Sequence, residues 1–191
     1  MSEQTTKIDI GSMELSDLTA FIGELGEKPF RAAQIFSWIH KEHVTDFSEM
    51  TNISKAFREK LSERCYLPVV TEKSRQTATD GTVKILYELC DGNTLETVLM
   101  QHEYGNSLCV STQVGCRMGC RFCASTLGGK LRDLSAYEIL SQIYKTSKQT
   151  GRRIDSLVLM GIGEPLDNFD KVVAFLEIVR HEKGLNLRHR H

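Results

Sequence analysis

From residue 107 onward the apolar pattern switches repeatedly between two periods, and this alternation limits the fold more than any other feature. "SLCVSTQ" reads as a strand, "SAYEILSQIYKTSKQ" as a helix, "DSLVLM" as a short buried strand and "FDKVVAFLEIVRHEKG" as a second amphipathic helix. Ser135 and Glu138 stand at capping-box spacing before an apolar stripe of Ile139, Leu140, Ile143 and Tyr144. Gly184 is expected to close the second helix. Strand, helix, strand, helix is the signature of parallel β/α architecture. Helical crossovers then bring both post-strand loops, 114–130 and 161–168, to one face, so whatever they carry should meet in space.

Upstream the texture differs. "MELSDLTAFIGEL", "KPFRAAQIFSWIHKE" and "ISKAFREKLSERC" each place apolar residues at helical spacing, with Pro29 near the start of the second. Three such helices form a small bundle, with Trp38 expected in its core. From residue 68 the chain turns β-rich, with Asp80-Gly81 and Asp91-Gly92 as turn signals of an antiparallel meander. The expected fold class is therefore α/β, with a helical domain over 1–66 and a β/α domain over 67–191. Cys65, ending a helix, and Cys90, ending an apolar run, read as ordinary small hydrophobes.

The chain has 191 residues, room for one ordinary domain, or for one small domain plus part of a larger one. No apolar run approaches the roughly 20 residues that span a bilayer. The polar N-terminus "MSEQTTKIDIGSMELSD" has no signal core. These features predict a cytoplasmic protein without membrane contact, in a compartment where thiols stay reduced. The net charge of −1 argues against a uniformly basic nucleic-acid binder. Residues 117–153, however, hold eight bases against two acids, Asp133 and Glu138. That segment could meet phosphates or form a solvated helix face.

The stretch "CVSTQVGCRMGCRFCAS" contains four of the six cysteines. Cys116, Cys120 and Cys123 have the spacing C-x3-C-x2-C. A structural zinc site normally takes four protein ligands, and no histidine lies nearby to complete one. Cys109 could be recruited, but it lies seven residues upstream within the expected strand. Cys120 and Cys123 formally satisfy the C-x-x-C of thiol redox sites, which leaves Cys116 without a role. Three thiolates on a 4Fe-4S cluster would leave one iron open, whereas electron-transfer clusters normally use four cysteines.

The C-x3-C-x2-C spacing, with Phe122 before the last cysteine, resembles the radical S-adenosylmethionine (SAM) superfamily, in which the open iron chelates SAM. "GIGEP", one β/α unit later, resembles the loop that contacts the SAM amino group there. Glu164 offers a carboxylate to an ammonium, and Gly161 and Gly163 permit close backbone approach. The likeness extends further. "LCVSTQVGCRMGCRFCAS", "MGIGEPLDN", "LGEKPFRAAQIFSWIH" and "LETVLM" are similar to the RlmN/Cfr family of radical SAM RNA methyltransferases, from about residue 15 onward. The fold this implies is the first part of a partial (β/α) barrel behind a helix-hairpin-helix-like domain.

The resemblance also implies roles. Cys116, Cys120 and Cys123 would hold a 4Fe-4S cluster, and Gly163 and Glu164 would contact SAM. Cys109 would resolve a covalent enzyme–RNA adduct through a transient disulfide, and Glu96 would accept a proton. The implied substrates are an adenosine of 23S rRNA in the peptidyl transferase centre and one beside the anticodon of tRNA. Methylation falls at carbon 2, or at carbon 8 in the Cfr reaction. An electron donor would reduce the cluster, and a monomer is expected. In the family a methyl group is first placed on an enzyme cysteine, then activated by a 5′-deoxyadenosyl radical and added to the adenine ring. That methyl-carrying cysteine lies in a later segment, and neither Cys65 nor Cys90 matches it. The chain thus reads as an N-terminal part of such an enzyme, not expected to methylate RNA alone. Another radical SAM activity and a non-enzymatic metal-binding RNA module are the alternatives.

Overall fold

The computed structural model describes residues 7–187; residues 1–6 and 188–191, the ends of the two expected domains, lie outside the described residues. The chain divides into two compact units. The first comprises Met1–Pro68 with Leu176–His191, and the second Val69–Phe175.

The first unit is built on three helices, α1 (Leu15–Glu24), α2 (Phe30–His40) and α3 (Lys55–Arg64). A two-residue parallel pair, β1 (Ile8–Asp9) with β2 (Cys65–Tyr66), joins its ends. Gly26, at φ 80°, stops α1 in a left-handed turn from which the Glu27 N–H reaches back to the Ile22 carbonyl (3.2 Å). The Ser54 hydroxyl caps α3 by accepting from the Phe57 N–H. The stripes expected from the sequence form the core. Leu18 and Ile22 of α1, Ala32, Ile35, Phe36 and Ile39 of α2, and Leu61 of α3 are completely buried. Truncating Ile35 to alanine would cost about 2–5 kcal/mol in such a setting. Trp38 departs from expectation. It lies between the buried positions of α2, half-buried, and its indole N–H donates to the Asn52 Oδ1 (2.6 Å).

The second unit is built on a five-stranded sheet, four consecutive antiparallel strands with a later parallel one beside the fourth. β3 (Thr71–Thr77), β4 (Val83–Glu88), β5 (Thr94–His102) and β6 (Gly105–Cys109) make the antiparallel meander. β9 (Ser156–Val158) then pairs with β6 in parallel. Between them run the hairpin β7 (Gln113–Gly115) and β8 (Lys130–Asp133), and helix α4 (Ala136–Thr150). The Ser135–Glu138 capping box is formed at the start of α4.

α4 covers one face of the sheet. Val83, Ile85 and Tyr87 of β4, and Leu95, Thr97 and Leu99 of β5, are the buried members of alternating strands. Three polar contacts fix the helix there: Tyr87 Oη with Thr146 Oγ1 (2.9 Å), Thr97 Oγ1 to Gln142 Oε1 (2.8 Å), and the Val70 N–H to Ser141 Oγ (2.9 Å). Buried polar groups paired in this way set the register of helix on sheet.

Three further expectations are corrected. The strand over 107–113 is two strands, because β6 stops at Cys109 and the chain re-pairs at Gln113 in a different sheet. Cys90 is exposed, since it falls in the turn between Leu89 and Asn93 rather than within β4. α5 (Phe169–Arg180) ends four residues before Gly184, which instead closes a separate turn with its N–H on the His181 carbonyl.

Candidate active site

The parallel pairing of β6 with β9 sends both following segments off the same end of the sheet. They are then bonded to each other. The Gly161 N–H donates to the Val110 carbonyl (3.2 Å), and the Thr112 and Gln113 N–H groups both donate to the Ile162 carbonyl (2.9 and 3.2 Å). The Ile162 N–H reaches Ser111 Oγ (3.0 Å), and the Glu164 N–H reaches Gln113 Oε1 (2.9 Å). The second expected loop is thus bonded, through backbone and side chains, to the 110–113 segment that leads into the first.

That closeness explains the two glycines of "GIGEP". A Cβ on Gly161 would stand 2.7 Å from Ser111 Oγ and the Val110 carbonyl, and one on Gly163, at φ 108°, 2.7 Å from Gln113 Cβ. The close approach these glycines permit is to the chain's own 110–113 segment. Glu164 is half-buried, and its Oε1 accepts from the Leu166 N–H (3.2 Å), capping the short turn Pro165–Asn168.

The face of the sheet turned away from α4 carries Glu96 and Cys109. Thr97 faces α4, so Glu96 and Val98 face the other way, and Cys109 is the cross-strand partner of Val98. Glu96 forms an ion pair with Lys84 (3.1 Å), itself opposite Val98 on β4. The Ser111 hydroxyl donates to the Glu96 carbonyl (2.7 Å), extending the ladder one step beyond the end of β6. Burial pushes the Cys109 thiol above its ordinary pKa, a shift opposed by a hydrogen bond with the Met160 backbone.

Cys116, Cys120 and Cys123 all lie in the loop between β7 and β8, as free thiols. Cys116 is buried at the stem, where its N–H donates to the Gly129 carbonyl (3.1 Å). Cys120 is exposed and Cys123 intermediate, and the Cys123 N–H turns back onto the Cys120 carbonyl (3.1 Å). Among the described residues no three His, Cys, Asp or Glu side chains stand close enough together to hold a metal ion. The three cysteines therefore share a loop without converging. In kind the donors fit an iron–sulfur group, being soft free thiols on one loop. Met118, Phe122 and Leu127 of the same loop, and Met160 and Leu166 of the neighbouring one, are exposed apolar side chains.

Much of the basic segment is occupied internally. Arg132 clamps Glu138 through two guanidinium bonds of 2.8 Å and reaches Asp91 (2.6 Å). Arg153 pairs with Asp155, and Arg152 donates to the Gly81 carbonyl (3.0 Å). Lys130 and Arg117 both pair with Asp167, whose carboxyl is held far below the usual carboxylate range by bonds from Gln113, Lys130 and Arg117. Ser111, Gln113 and Asp167 are the residues that sequence reasoning passed over. Each lies inside or beside a quoted motif, but only the folded chain shows what it joins.

The model of the ribosomal RNA large subunit methyltransferase N-terminal domain matches residues 8–67. Proteins described as probable dual-specificity RNA methyltransferase RlmN, from Bacillus licheniformis and Bacillus subtilis, are each 54% identical to this chain over 98% of its length. The chain spans about half the length of these curated relatives, 53% in both cases. A crystal structure of a radical SAM methyltransferase from Sphaerobacter thermophilus superposes with a TM-score of 0.86 at 33% identity, covering 94% of this chain and 54% of the other.

Proposed function

We propose that the chain is part of a radical SAM methyltransferase of the RlmN type, and that its residues 67–191 form the cluster- and SAM-binding part of an RNA-methylating enzyme. The observation that carries this reading is the bonding of the cysteine loop's entry, Val110–Gln113, to the Gly161–Glu164 loop, beside the face that holds Glu96 and Cys109.

Cys116, Cys120 and Cys123 would hold a 4Fe-4S cluster with one iron left open for SAM. When bound, the cluster supplies the electron that cleaves SAM reductively. The protein's own residues do the rest. The Glu164 carboxylate accepts hydrogen bonds from the SAM ammonium, while the backbone at Gly163 follows the same ligand. Glu96 takes the proton lost from the adenine ring. Cys109 would attack the sulfur of the methyl-carrying cysteine: the S–S bond forms as the C–S bond breaks, and the leaving carbon, which keeps the electron pair, takes up a proton to become the methyl group of the released base. The exposed apolar residues of both loops exclude water from these steps once substrate is seated.

The substrate class is RNA. The adenosine of 23S rRNA in the peptidyl transferase centre and the one beside the tRNA anticodon are the proposed targets, with carbon 2 as the site. An electron donor, a monomeric state and a cytoplasmic location complete the reading; among the described residues no helix is long and apolar enough to cross a membrane. Methyl transfer requires a methyl-accepting cysteine, and none of the six cysteines here matches it. These residues by themselves are therefore assigned binding of cluster and SAM, not methylation. The test is nucleoside mass spectrometry of unmodified rRNA and tRNA incubated with SAM and reductant. A chain that also carries the accepting cysteine should yield 2-methyladenosine, and residues 1–191 alone should yield none. Product from residues 1–191 alone, or 8-methyladenosine from the longer chain, contradicts the corresponding part of the reading.

A further inference from the structure

We propose that Asp167 is a positioning residue that clasps the cysteine loop to the SAM-contacting loop, an inference that rests on the reading of these loops given above. Asp167 lies three residues beyond Glu164, and its side chain is only 7% exposed. One carboxylate oxygen accepts from Lys130 Nζ (2.9 Å) and Gln113 Nε2 (3.0 Å), and the other from the Arg117 guanidinium. Its three partners mark the three parts of the cysteine loop's base. Gln113 opens the first strand of the stem, Lys130 opens the second, and Arg117 immediately follows Cys116.

The Gln113 side-chain amide makes the clasp two-sided. Its Nε2 donates to Asp167 and to Asp133 Oδ1 (2.8 Å), while its Oε1 accepts the Glu164 N–H. The loop carrying Glu164 is thus tied to the stem through its backbone and through Asp167. Exposed ion pairs contribute little, but a carboxylate this sheltered takes three bonds with it when removed, those from Gln113, Lys130 and Arg117. Lys130 keeps Asp133 as a second partner (2.8 Å), whereas the Arg117 guanidinium, 66% exposed, swings free with its segment of loop. Loss of Asp167 should therefore loosen the cysteine loop and the Glu164 loop together, and leave the five-stranded sheet as it is.

Hydrogen exchange on iron-free protein reads the clasp directly. In Asp167→Asn the amides of Cys116, Cys123, Gly129 and Glu164 should exchange about tenfold faster or more, the equivalent of one hydrogen bond to a charged group. Amides of β4 and β5 should keep their wild-type rates. Arg117→Gln, which touches only the exposed arm, should speed Cys116 and Cys123 alone, and Asp167→Glu should recover most of the protection. In protein reconstituted with iron and sulfide, Asp167→Asn should weaken SAM binding while Asp167→Glu retains it. Unchanged exchange at these four amides in Asp167→Asn, or acceleration spread equally over the sheet, would overturn the clasp. Wild-type protein that takes up no iron would instead overturn the reading of the loops while the exchange pattern still decides the clasp.

Discussion

Glu96 and Cys109 stand on the same face of the five-stranded sheet, as diagonal neighbours across the β5–β6 ladder. Cys109 is opposite Val98, and Glu96 is the next residue of β5 on that face, about 7–8 Å away by ordinary strand spacing. Neither side chain belongs to the cysteine loop. Cys109→Ala and Glu96→Gln are therefore expected to leave iron content and SAM affinity at wild-type levels. In a chain competent for methylation, Cys109→Ala should accumulate a covalent protein–RNA species, visible as a retarded band on a denaturing gel. Loss of iron in either variant would contradict their assignment to the reaction face.

Glu164→Gln separates charge from loop structure. The glutamine oxygen can still accept from the Leu166 N–H, so the turn over Pro165–Asn168 should persist. On the proposed role of Glu164, the lost element is a charge-assisted bond to the SAM ammonium, worth about 1.5–3 kcal/mol. Equilibrium dialysis should show SAM binding weakened by about tenfold or more, with iron content unchanged.

Gly115 sits at the stem of the cysteine loop with φ 72°, and an added Cβ would lie 1.9 Å from the Gly129 carbonyl oxygen. A left-handed L-residue costs roughly 1–2 kcal/mol before that collision is relieved. Gly115→Ala should therefore open the β7–β8 stem and break the Cys116 N–H bond to Gly129. A lower urea midpoint and reduced iron uptake, with all cysteines intact, are the expected measurements.

His40 makes the helical unit sensitive to acid. It is completely buried on α2 beside Phe36, with ring centroids 4.4 Å apart, and burial, reinforced by His43 and His181, lowers its pKa from 6.5 to about 3. Between these values the unfolded chain binds a proton that the folded chain refuses. Stability is thus full above pH 6.5 and declines as the pH falls toward 3, by at most about 1.4 kcal/mol per pH unit. Urea midpoints at pH 7, 5.5 and 4.5 should show this decline, and His40→Leu should flatten it.

The parts of the fold governed by local periodicity were readable from the sequence. The helical stripes around Ile35, the capping box at Ser135, and the shared end of the loops after β6 and β9 all follow from it. Trp38 and Cys90 were misread for the same reason. Hydrophobic character marks a residue as able to be buried, but a position off the buried stripe of its helix leaves Trp38 half-buried, and a turn after an apolar run leaves Cys90 exposed. The break at Cys109 was also invisible, because no glycine or proline marks it and residues 110–114 stay buried while the hydrogen-bond partners change from one sheet to another. Within the site, cysteine spacing is a one-dimensional signal and could be seen. The bonds of Ser111, Gln113 and Asp167 are long-range pairings between polar residues of ordinary type, and nothing in their local sequence marks them.

Anaerobic reconstitution with iron and sulfide, followed by metal analysis and EPR of the reduced protein with and without SAM, tests the assignment of the cysteine loop most directly. Wild-type protein and Cys109→Ala are expected to hold a 4Fe-4S cluster whose spectrum shifts when SAM is added. Cys116→Ala, Cys120→Ala and Cys123→Ala should each lose it. Zinc in place of iron, or a cluster retained in Cys116→Ala but lost in Cys109→Ala, would contradict the assignment.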